Sequence, residues 1–301
     1  MKPNRLWLIY AIVTTLAWGL WGALLNLPVS SGFPETMAYV VWSLTMIPPA
    51  LIALAFIRWK LDYDFRSVLL GISVGTLGAG GQLILFKTVP AVAPAYLVFP
   101  FIALNPIVTI LLAALVSGER VYTLGGVGIS LALIAAVLLN YQSPDAGGNI
   151  SPLWLGCALT ILVAWGAQGF IISYANRTMR AESIFFYMTL SALCLAPVAW
   201  SMTDGSQPIN WGWTGVGMSA CIQILNSVGA LLLVYAYRYG KAMIVAPLTN
   251  AGAPLITVLL SLFLLRVAPG AITAVGIVLA IVATTMMAFE EESGSTSAET
   301  V

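Results

Sequence analysis

Histidine is absent from this 301-residue chain, and charged residues make up only 8% of it. Without an imidazole the chain cannot form a histidine-ligated metal site, a histidine-based catalytic triad or a histidine proton relay. The three cysteines, Cys157, Cys194 and Cys221, lie in apolar stretches and do not resemble the disulfide framework of a small secreted protein. The net charge is +1 with no basic run, which excludes nucleic-acid binding.

Apolar residues dominate the composition instead. They account for 60% of the chain, and mean hydropathy is +0.97. Soluble domains average about 45–50% apolar and about 25% charged residues. The chain therefore has too few polar side chains to cover a soluble globule of this size, which rules out a soluble enzyme. We expect a lipid bilayer to surround it.

Ten apolar stretches are each long enough to cross a bilayer as a helix, which takes about 20 residues. In chain order, predicted spans 1 to 10 are 6–27, 36–57, 67–86, 92–116, 122–141, 152–174, 183–202, 213–237, 243–265 and 269–289. Their apolar runs are continuous, whereas a β-barrel would show alternating segments of about ten residues. We predict an all-α integral membrane fold with ten transmembrane helices. The first stretch is too long for a cleaved signal peptide.

The distribution of Lys and Arg predicts the orientation. With the N-terminus in the cytoplasm, the inner side carries ten of these residues and the outer side two. The inner ten are Lys2, Arg5, Arg58, Lys60, Arg66, Arg120, Arg177, Arg180, Arg238 and Lys241, and the outer two are Lys87 and Arg266. The positive-inside rule then places both termini in the cytoplasm. We expect the protein to lie in the inner membrane of the cell.

Two halves of the chain resemble each other at an offset of 147 or 148 residues. The matches pair 17–19 (Ala-Trp-Gly) with 164–166, 105–109 (Asn-Pro-Ile-Val-Thr) with 253–257 (Ala-Pro-Leu-Ile-Thr), and 127–129 with 275–277 (both Val-Gly-Ile). We predict a first repeat over 1–141, a linker over 142–151, a second repeat over 152–289 and a disordered acidic tail over 290–301. Since five spans are an odd number, the second repeat enters the membrane from the opposite side. Inverted repeats around a central site are typical of secondary transporters.

Three segments resemble the EamA-type branch of the drug/metabolite transporter superfamily. They are Phe-Lys-Thr-Val-Pro-Ala at 86–91, Asn-Pro-Ile-Val-Thr at 105–109 and Gly-Glu-Arg at 118–120. The second half departs from the pattern, because Leu-Arg-Val at 265–267 stands where the glutamate would be. The resemblance implies a ten-helix transporter of amino acids, drugs, nucleotide-sugars or other metabolites. It also implies a cavity lined by spans 1, 3, 4, 6, 8 and 9. Spans 5 and 10 contain few polar residues and several glycines, so we expect them to be peripheral packing elements.

Trp18 and Trp165 occupy equivalent positions in the middle of spans 1 and 6. Two interpretations are open: the rings flank one central cavity, or they serve only packing. Amide side chains inside spans need hydrogen-bond partners, either on other helices or on a substrate. These amides are Gln82, Gln168, Gln223 and Asn226. The glycines that share a face of span 3 with Gln82 favour close helix packing.

Spans 4 and 9 each contain two prolines, Pro100 with Pro106 and Pro247 with Pro254. An interior proline removes a backbone hydrogen bond and kinks the helix. Asn105 and Asn250 lie beside these kinks, and Tyr96 lies upstream in span 4. Kinked, polar-lined helices at matching places in two repeats indicate a transport path. The alternative is a fixed kink that only shapes packing.

Lys87, at the end of span 3, either pairs with a substrate carboxylate or extends to the membrane interface. The eleven acidic residues all fall in loops, at helix ends or in the tail. Because no carboxylate lies in the middle of a span, the sequence favours a facilitator or exchanger over an ion-coupled carrier.

We therefore expect a non-enzymatic transporter of amino acids or similar zwitterionic or neutral metabolites, monomeric or homodimeric, without a cofactor or metal. A membrane-embedded enzyme lacks its catalytic residues here, since rhomboid-type proteolysis needs histidine and prenyl transfer needs clustered aspartates. Another substrate class of the superfamily and a channel-like facilitator remain alternatives.

Overall fold

The computed structural model describes residues 5–92, 98, 101–141, 153–206, 208–265 and 269–298. Those residues form helices and connecting turns, with no β-strand among them. The helices are α1 (Leu6–Leu24), α2 (Asn26–Ser30), α3 (Glu35–Thr45), α4 (Ile47–Phe56), α5 (Phe65–Val92), α6 (Pro106–Ser117), α7 (Thr123–Asn140), α8 (Trp154–Ala175), α9 (Ala181–Ser201), α10 (Met218–Tyr239), α11 (Ala242–Leu265) and α12 (Ala271–Ala298). A π-helical turn, Trp213–Gly217, leads directly into α10.

The predicted membrane character is confirmed. Within the described ranges, eight helical segments are long and apolar enough to cross a membrane, two of them formed by α1 with α2 and by α3 with α4. Two shorter apolar helices, Pro106–Ser117 and Ala271–Met287, accompany them. Large apolar side chains face outward, and Phe56 and Leu115 are 80% and 81% exposed. Such a surface suits hydrocarbon rather than water. The count of ten spans stays a prediction.

Proline accounts for a helix break inside predicted span 2. α3 ends at Thr45 and α4 begins at Ile47, so the chain turns at Met46. Pro48 and Pro49 follow directly, and neither has a backbone N–H with which to continue the helical pattern. The Thr45 hydroxyl instead lies 2.9 Å from the Ser227 hydroxyl of α10. The break therefore joins two distant parts of the chain.

The prolines of predicted spans 4 and 9 differ in their effects. Residues 103–105 form a turn, and Pro106 is the first residue of α6, where its missing N–H leaves no helical bond unmade. α11 in contrast runs through Pro247 and Pro254 without interruption. Pro100 lies outside the described residues. Span 4 is thus broken at its second proline rather than simply kinked.

Two threonines tie the halves together by matching hydrogen bonds. Thr257 of α11 donates its hydroxyl to the carbonyl of Gly19 in α1, at 3.0 Å. Thr109 of α6 donates to the carbonyl of Gly166 in α8, at 2.8 Å. Gly166 follows Gly19 by 147 residues and Thr257 follows Thr109 by 148, the offsets of the sequence repeat. The two contacts are therefore equivalent under exchange of the halves.

The same glycines allow the helices to approach closely. A Cβ atom added at Gly19 would overlap the side chain of Ile256, and one added at Gly166 would lie 2.5 Å from the Cβ of Val108. Ile256 is in turn the repeat equivalent of Val108. Small residues at such crossings bring backbones into contact, which adds packing energy in a membrane.

α7 and α12, which correspond to predicted spans 5 and 10, pack against each other, and α11 contacts both. Gly128 of α7 lies against Met287, and Gly276 of α12 lies against Leu138 and Leu139. α12 continues to Ala298, so its helical backbone enters the acidic tail for which we expected disorder. Glu290, Glu291 and Glu292 are good helix formers, which accounts for the extension.

Candidate functional site

A cavity of about 1130 Å³, partly open to the exterior, lies among helices from both halves of the chain. Spans 1, 3, 4, 6, 8 and 9 contribute to its wall, as we expected. Spans 2, 5 and 7 contribute as well, through residues that include Trp42, Asn140 and Met188. The expectation that span 5 is purely peripheral is therefore wrong, because the last turn of α7 reaches the cavity.

Trp18 and Trp165 both line the cavity. The indole Nε1 of Trp18 donates to the carbonyl of Asn226 at 3.2 Å, and that of Trp165 donates to the carbonyl of Gly78 at 3.3 Å. Asn226 follows Gly78 by 148 residues, so these bonds are equivalent in the two halves. Each ring therefore forms part of the cavity wall and also joins two helices.

Asn105 and Asn250 meet directly in the wall of the cavity. The Asn105 Nδ2 donates to Asn250 Oδ1 at 3.0 Å, and it also donates to the carbonyl of Ile102 at 2.9 Å. Asn250 Nδ2 donates to the carbonyl of Ala246. The amide pair therefore connects the broken span 4 to α11 near Pro254, which is also a wall residue.

The four predicted glutamine and asparagine candidates of spans 3, 6 and 8 separate into two groups. Gln82, Gln168 and Asn226 line the cavity, whereas Gln223 does not. Gln223 is buried in α10 and accepts a hydrogen bond from the Nε1 of Trp21 at 2.9 Å. Since Trp21 is a wall residue, Gln223 supports the wall from behind.

Two buried nitrogen donors of the wall lack a partner among the described residues. They are Nε2 of Gln82 and Nε1 of Trp42. Gln82 is 9% exposed and Trp42 is 7% exposed. An unsatisfied buried donor costs about 1–3 kcal/mol, and a bound ligand with an acceptor oxygen would recover this cost. Proline and glycine have no polar side-chain atom, so the prolines and glycines of the wall leave no side-chain donor without a partner.

Some candidates lie beyond what the structure describes. Tyr96 and Pro100 are outside the described residues, and Lys87 belongs to α5 but its side chain is not described. Lys87 follows Phe86, whose ring lines the cavity. Pro106 begins α6, and Pro247 lies inside α11. Neither Pro106 nor Pro247 is among the described wall residues.

Glu35 is a wall residue that sequence reasoning missed. It is the first residue of α3, a helix end as expected, but it also lines the cavity. Ala38, Trp42 and Met46 line the cavity with it, at the spacing of one helical face. Among the described wall residues, Glu35 is the one with a charged side chain. The spacing of Glu35, Ala38 and Trp42 on one face of α3 could have identified it from the sequence.

Two ion pairs join the halves at the end of the molecule that contains the start of α1. Arg180 lies 3.7 Å from Asp62, and Arg177 lies 3.8 Å from Glu119. Asp62 also accepts the backbone N–H of Arg180 at 2.7 Å and the hydroxyl of Ser183 at 3.0 Å. We call this group, Asp62, Glu119, Arg177 and Arg180, the polar end.

Stacked tyrosines lie beside the polar end. The ring of Tyr10 stacks on Tyr235 at 5.1 Å and on Tyr239 at 5.9 Å between centroids. Tyr235 donates its hydroxyl to Glu182 at 2.6 Å. Neither these residues nor the polar end belong to the cavity wall. The wall instead includes Asn26, at the other end of span 1, so the cavity extends away from the polar end.

The repeated helices, the apolar surface and the cavity define a multi-pass membrane protein with a site for a small molecule. The chain matches the EamA-like transporter family over residues 5–141 and 152–289, and it belongs to that family. It is therefore a membrane transporter of the drug/metabolite transporter superfamily.

One curated protein and one solved structure are similar to the chain. The protein RarD of Streptomyces exfoliatus is 25% identical over 263 residues, which cover 83% of this chain and 76% of that protein. A protein crystal structure superposes with a TM-score of 0.73 at 18% identity, and the match covers 92% of this chain and 95% of that one. The likeness to the crystal structure is a likeness of fold alone.

Proposed function

We propose that the protein moves amino acids or similar zwitterionic or neutral metabolites through the cavity by alternating access of two inverted five-helix repeats. The observation that carries the proposal is a cavity lined by rings and amides from both halves and bounded at one end by ion pairs between those halves. Two similar halves of opposite orientation can exchange conformations at small energetic cost, which is the basis of alternating access.

The reciprocal contacts support the inverted arrangement. Thr257 binds Gly19 as Thr109 binds Gly166, and each contact joins the first half of the chain to the second. A contact between i and j that recurs between their equivalents is what a two-fold axis generates. We propose the repeat boundaries 1–141 and 152–289, with 142–151 as the linker.

The charge bias supports an orientation with both termini in the cytoplasm and the protein in the inner membrane. In that orientation the polar end faces the cytoplasm, and the cavity opens to the opposite side. The arrangement then corresponds to an outward-open state in which the ion pairs and stacked tyrosines close the inner side.

The wall favours a small, polar substrate with little net charge. Amide groups provide both donors and acceptors, and the indoles offer flat apolar faces. Lys87 is a candidate partner for a substrate carboxylate at the cavity entrance. A Lys87→Ala variant with unchanged uptake of zwitterionic and anionic compounds would remove that role.

Purified protein in liposomes tests the proposal. We expect saturable uptake of radiolabelled amino acids and accelerated exchange when the same amino acid is loaded inside. A flux that rises linearly with concentration and shows no exchange would favour a channel-like facilitator. Uptake of sugars or nucleosides in place of amino acids would favour another substrate class. A pH gradient that alone drives accumulation would contradict a facilitator or exchanger.

A further inference from the structure

We propose that Glu35 is the binding site for a protonated amino group of the substrate. This inference rests on the proposed function and narrows its substrate class to amine-bearing compounds. The carboxylate is partly exposed in the cavity wall, and no described residue forms an ion pair or hydrogen bond with its side chain. Among the described wall residues it is the one with a charged side chain, so it is the group there that attracts a cation.

Glu35 is the first residue of α3, where the positive end of the helix dipole attracts an acidic side chain. That effect alone does not require the residue to face a cavity. Many helices begin with an acidic residue that faces solvent, whereas Glu35 shares a wall with Trp42 and Gln82.

The unpartnered donors provide the independent observation. Gln82 and Trp42 are each more than nine-tenths buried, and each has a side-chain nitrogen without an acceptor among the described residues. Both side chains line the same cavity as Glu35, so an acceptor oxygen on a ligand that reached them would satisfy these donors. A carboxylate, a carbonyl or a hydroxyl group satisfies that requirement.

Glu35 and Trp42 lie on the same face of α3. Seven residues separate them, which corresponds to about two helical turns, and both line the cavity. The indole rings of Trp18 and Trp21, which also line the cavity, provide apolar and cation–π contacts for a bound amine.

Four compounds with the same side chain separate the charges. Phenylalanine is a zwitterion, phenylalaninamide a cation at pH 7, N-acetylphenylalanine an anion and N-acetylphenylalaninamide neutral. A matching leucine series tests whether the ring matters. Binding to purified protein is measured by isothermal titration and by thermal shift, so the result does not depend on transport.

We expect the free amines to bind at least about tenfold more tightly than their N-acetyl counterparts. Glu35→Gln removes the charge at nearly constant size and should weaken the amines by about tenfold while leaving the N-acetyl compounds unchanged. Glu35→Asp keeps the charge and should retain most of the affinity. Size-exclusion chromatography of each variant establishes that it is folded.

Asp204→Asn is the matched control. Asp204 is an exposed carboxylate in the loop after α9, and it is not a wall residue. Its neutralisation should leave every affinity unchanged. A general effect of surface charge would instead weaken amine binding in both variants.

The outcomes distinguish this inference from the proposed function. Equal affinities for free and N-acetylated compounds, or full amine binding by Glu35→Gln, would contradict the inference even where transport is retained. Failure of all eight compounds to bind the wild-type protein contradicts it as well. Amine binding that depends on Glu35 without any exchange in liposomes would contradict the proposed function alone.

Discussion

Trp18 and Trp165 make equivalent hydrogen bonds, each donating its indole N–H to a backbone carbonyl of a helix across the packing interface. Each ring also rests against a glycine of the accepting helix, Gly229 for Trp18 and Gly81 for Trp165. These glycines are themselves 148 residues apart. The same contact between a tryptophan and a glycine therefore occurs twice in the cavity wall, at equivalent positions of the two repeats.

Removal of either indole N–H should have the same effect. Trp18→Phe and Trp165→Phe keep a ring in the wall but remove one hydrogen bond to a helical carbonyl, at a cost of about 0.5–1.5 kcal/mol in the free energy of unfolding. We expect similar decreases in the thermal transition temperature for both variants. Trp200→Phe, at an exposed position on α9, serves as the control and should show little change. A large effect at only one of the two wall positions would contradict their equivalence.

The helix crossing at Gly166 should tolerate no added methyl group. Gly166→Ala forces Asn105 and Val108 to move and should lower the free energy of unfolding by about 1–3 kcal/mol. Gly156→Ala lies on the same helix with no atom within 4 Å of the added Cβ. It should instead stabilise the protein by about 0.5–1 kcal/mol, because alanine favours the helix. Thermal unfolding in detergent compares the two, and equal behaviour would contradict close packing at Gly166.

The ion pair between Glu119 and Arg177 should hold the polar end closed. The Arg177 side chain is 48% exposed, so the pair contributes only about 0.2–1 kcal/mol to stability. Since that energy favours the closed end, Glu119→Gln or Arg177→Gln should raise the population that is open there by about two- to fivefold.

Cysteine labelling measures this population. Ala230, a buried wall residue, is replaced by cysteine in a chain whose native cysteines are serine, and a membrane-impermeant maleimide is added on the side of the N-terminus. Labelling should be faster in either single variant. No change in either variant would show that the pair does not hold this end closed.

The amide pair in the wall should be energetically coupled. Asn105→Ala and Asn250→Ala each break their mutual hydrogen bond, and the double variant should be about 0.5–1.5 kcal/mol more stable than the sum of the single effects predicts. Asn140 also lines the cavity, but its Nδ2 binds Ala136 within its own helix. A cycle between Asn105 and Asn140 should therefore give no coupling. Coupling of the same size in both cycles would point to a general change in the wall.

Periodicity and the repeat offset predicted the membrane fold and several wall residues from the sequence. Trp18 and Trp165 stand at equivalent mid-span positions of the repeat, and Asn105 and Asn250 lie beside the prolines of spans 4 and 9. The repeat offset alone relates the two tryptophans. These features are local or repeat in the chain, so a sequence contains them directly.

The remaining features depend on how helices are placed in space. Gln223 and Gln82 are both glutamines inside an apolar span, so the sequence does not separate them. The contact with Trp21 places Gln223 behind the cavity wall. Glu35 resembles any acidic residue at a helix start, and its role follows from the face that α3 turns toward α5 and α10. The break at Met46 depends on two adjacent prolines within a run whose hydropathy alone predicts one continuous span.

The duplicated glycine crossings have a consequence for how such a protein changes over time. Gly19 contacts Ile256, whereas Gly166 contacts the smaller Val108, so the two helix crossings differ in the side chain that packs against the glycine. Under the proposed alternating access, a substitution at one crossing would act on one half of the cycle. Gene duplication followed by small, separate changes of this kind can set which side of the membrane the resting transporter faces, without altering the residues that hold its cargo.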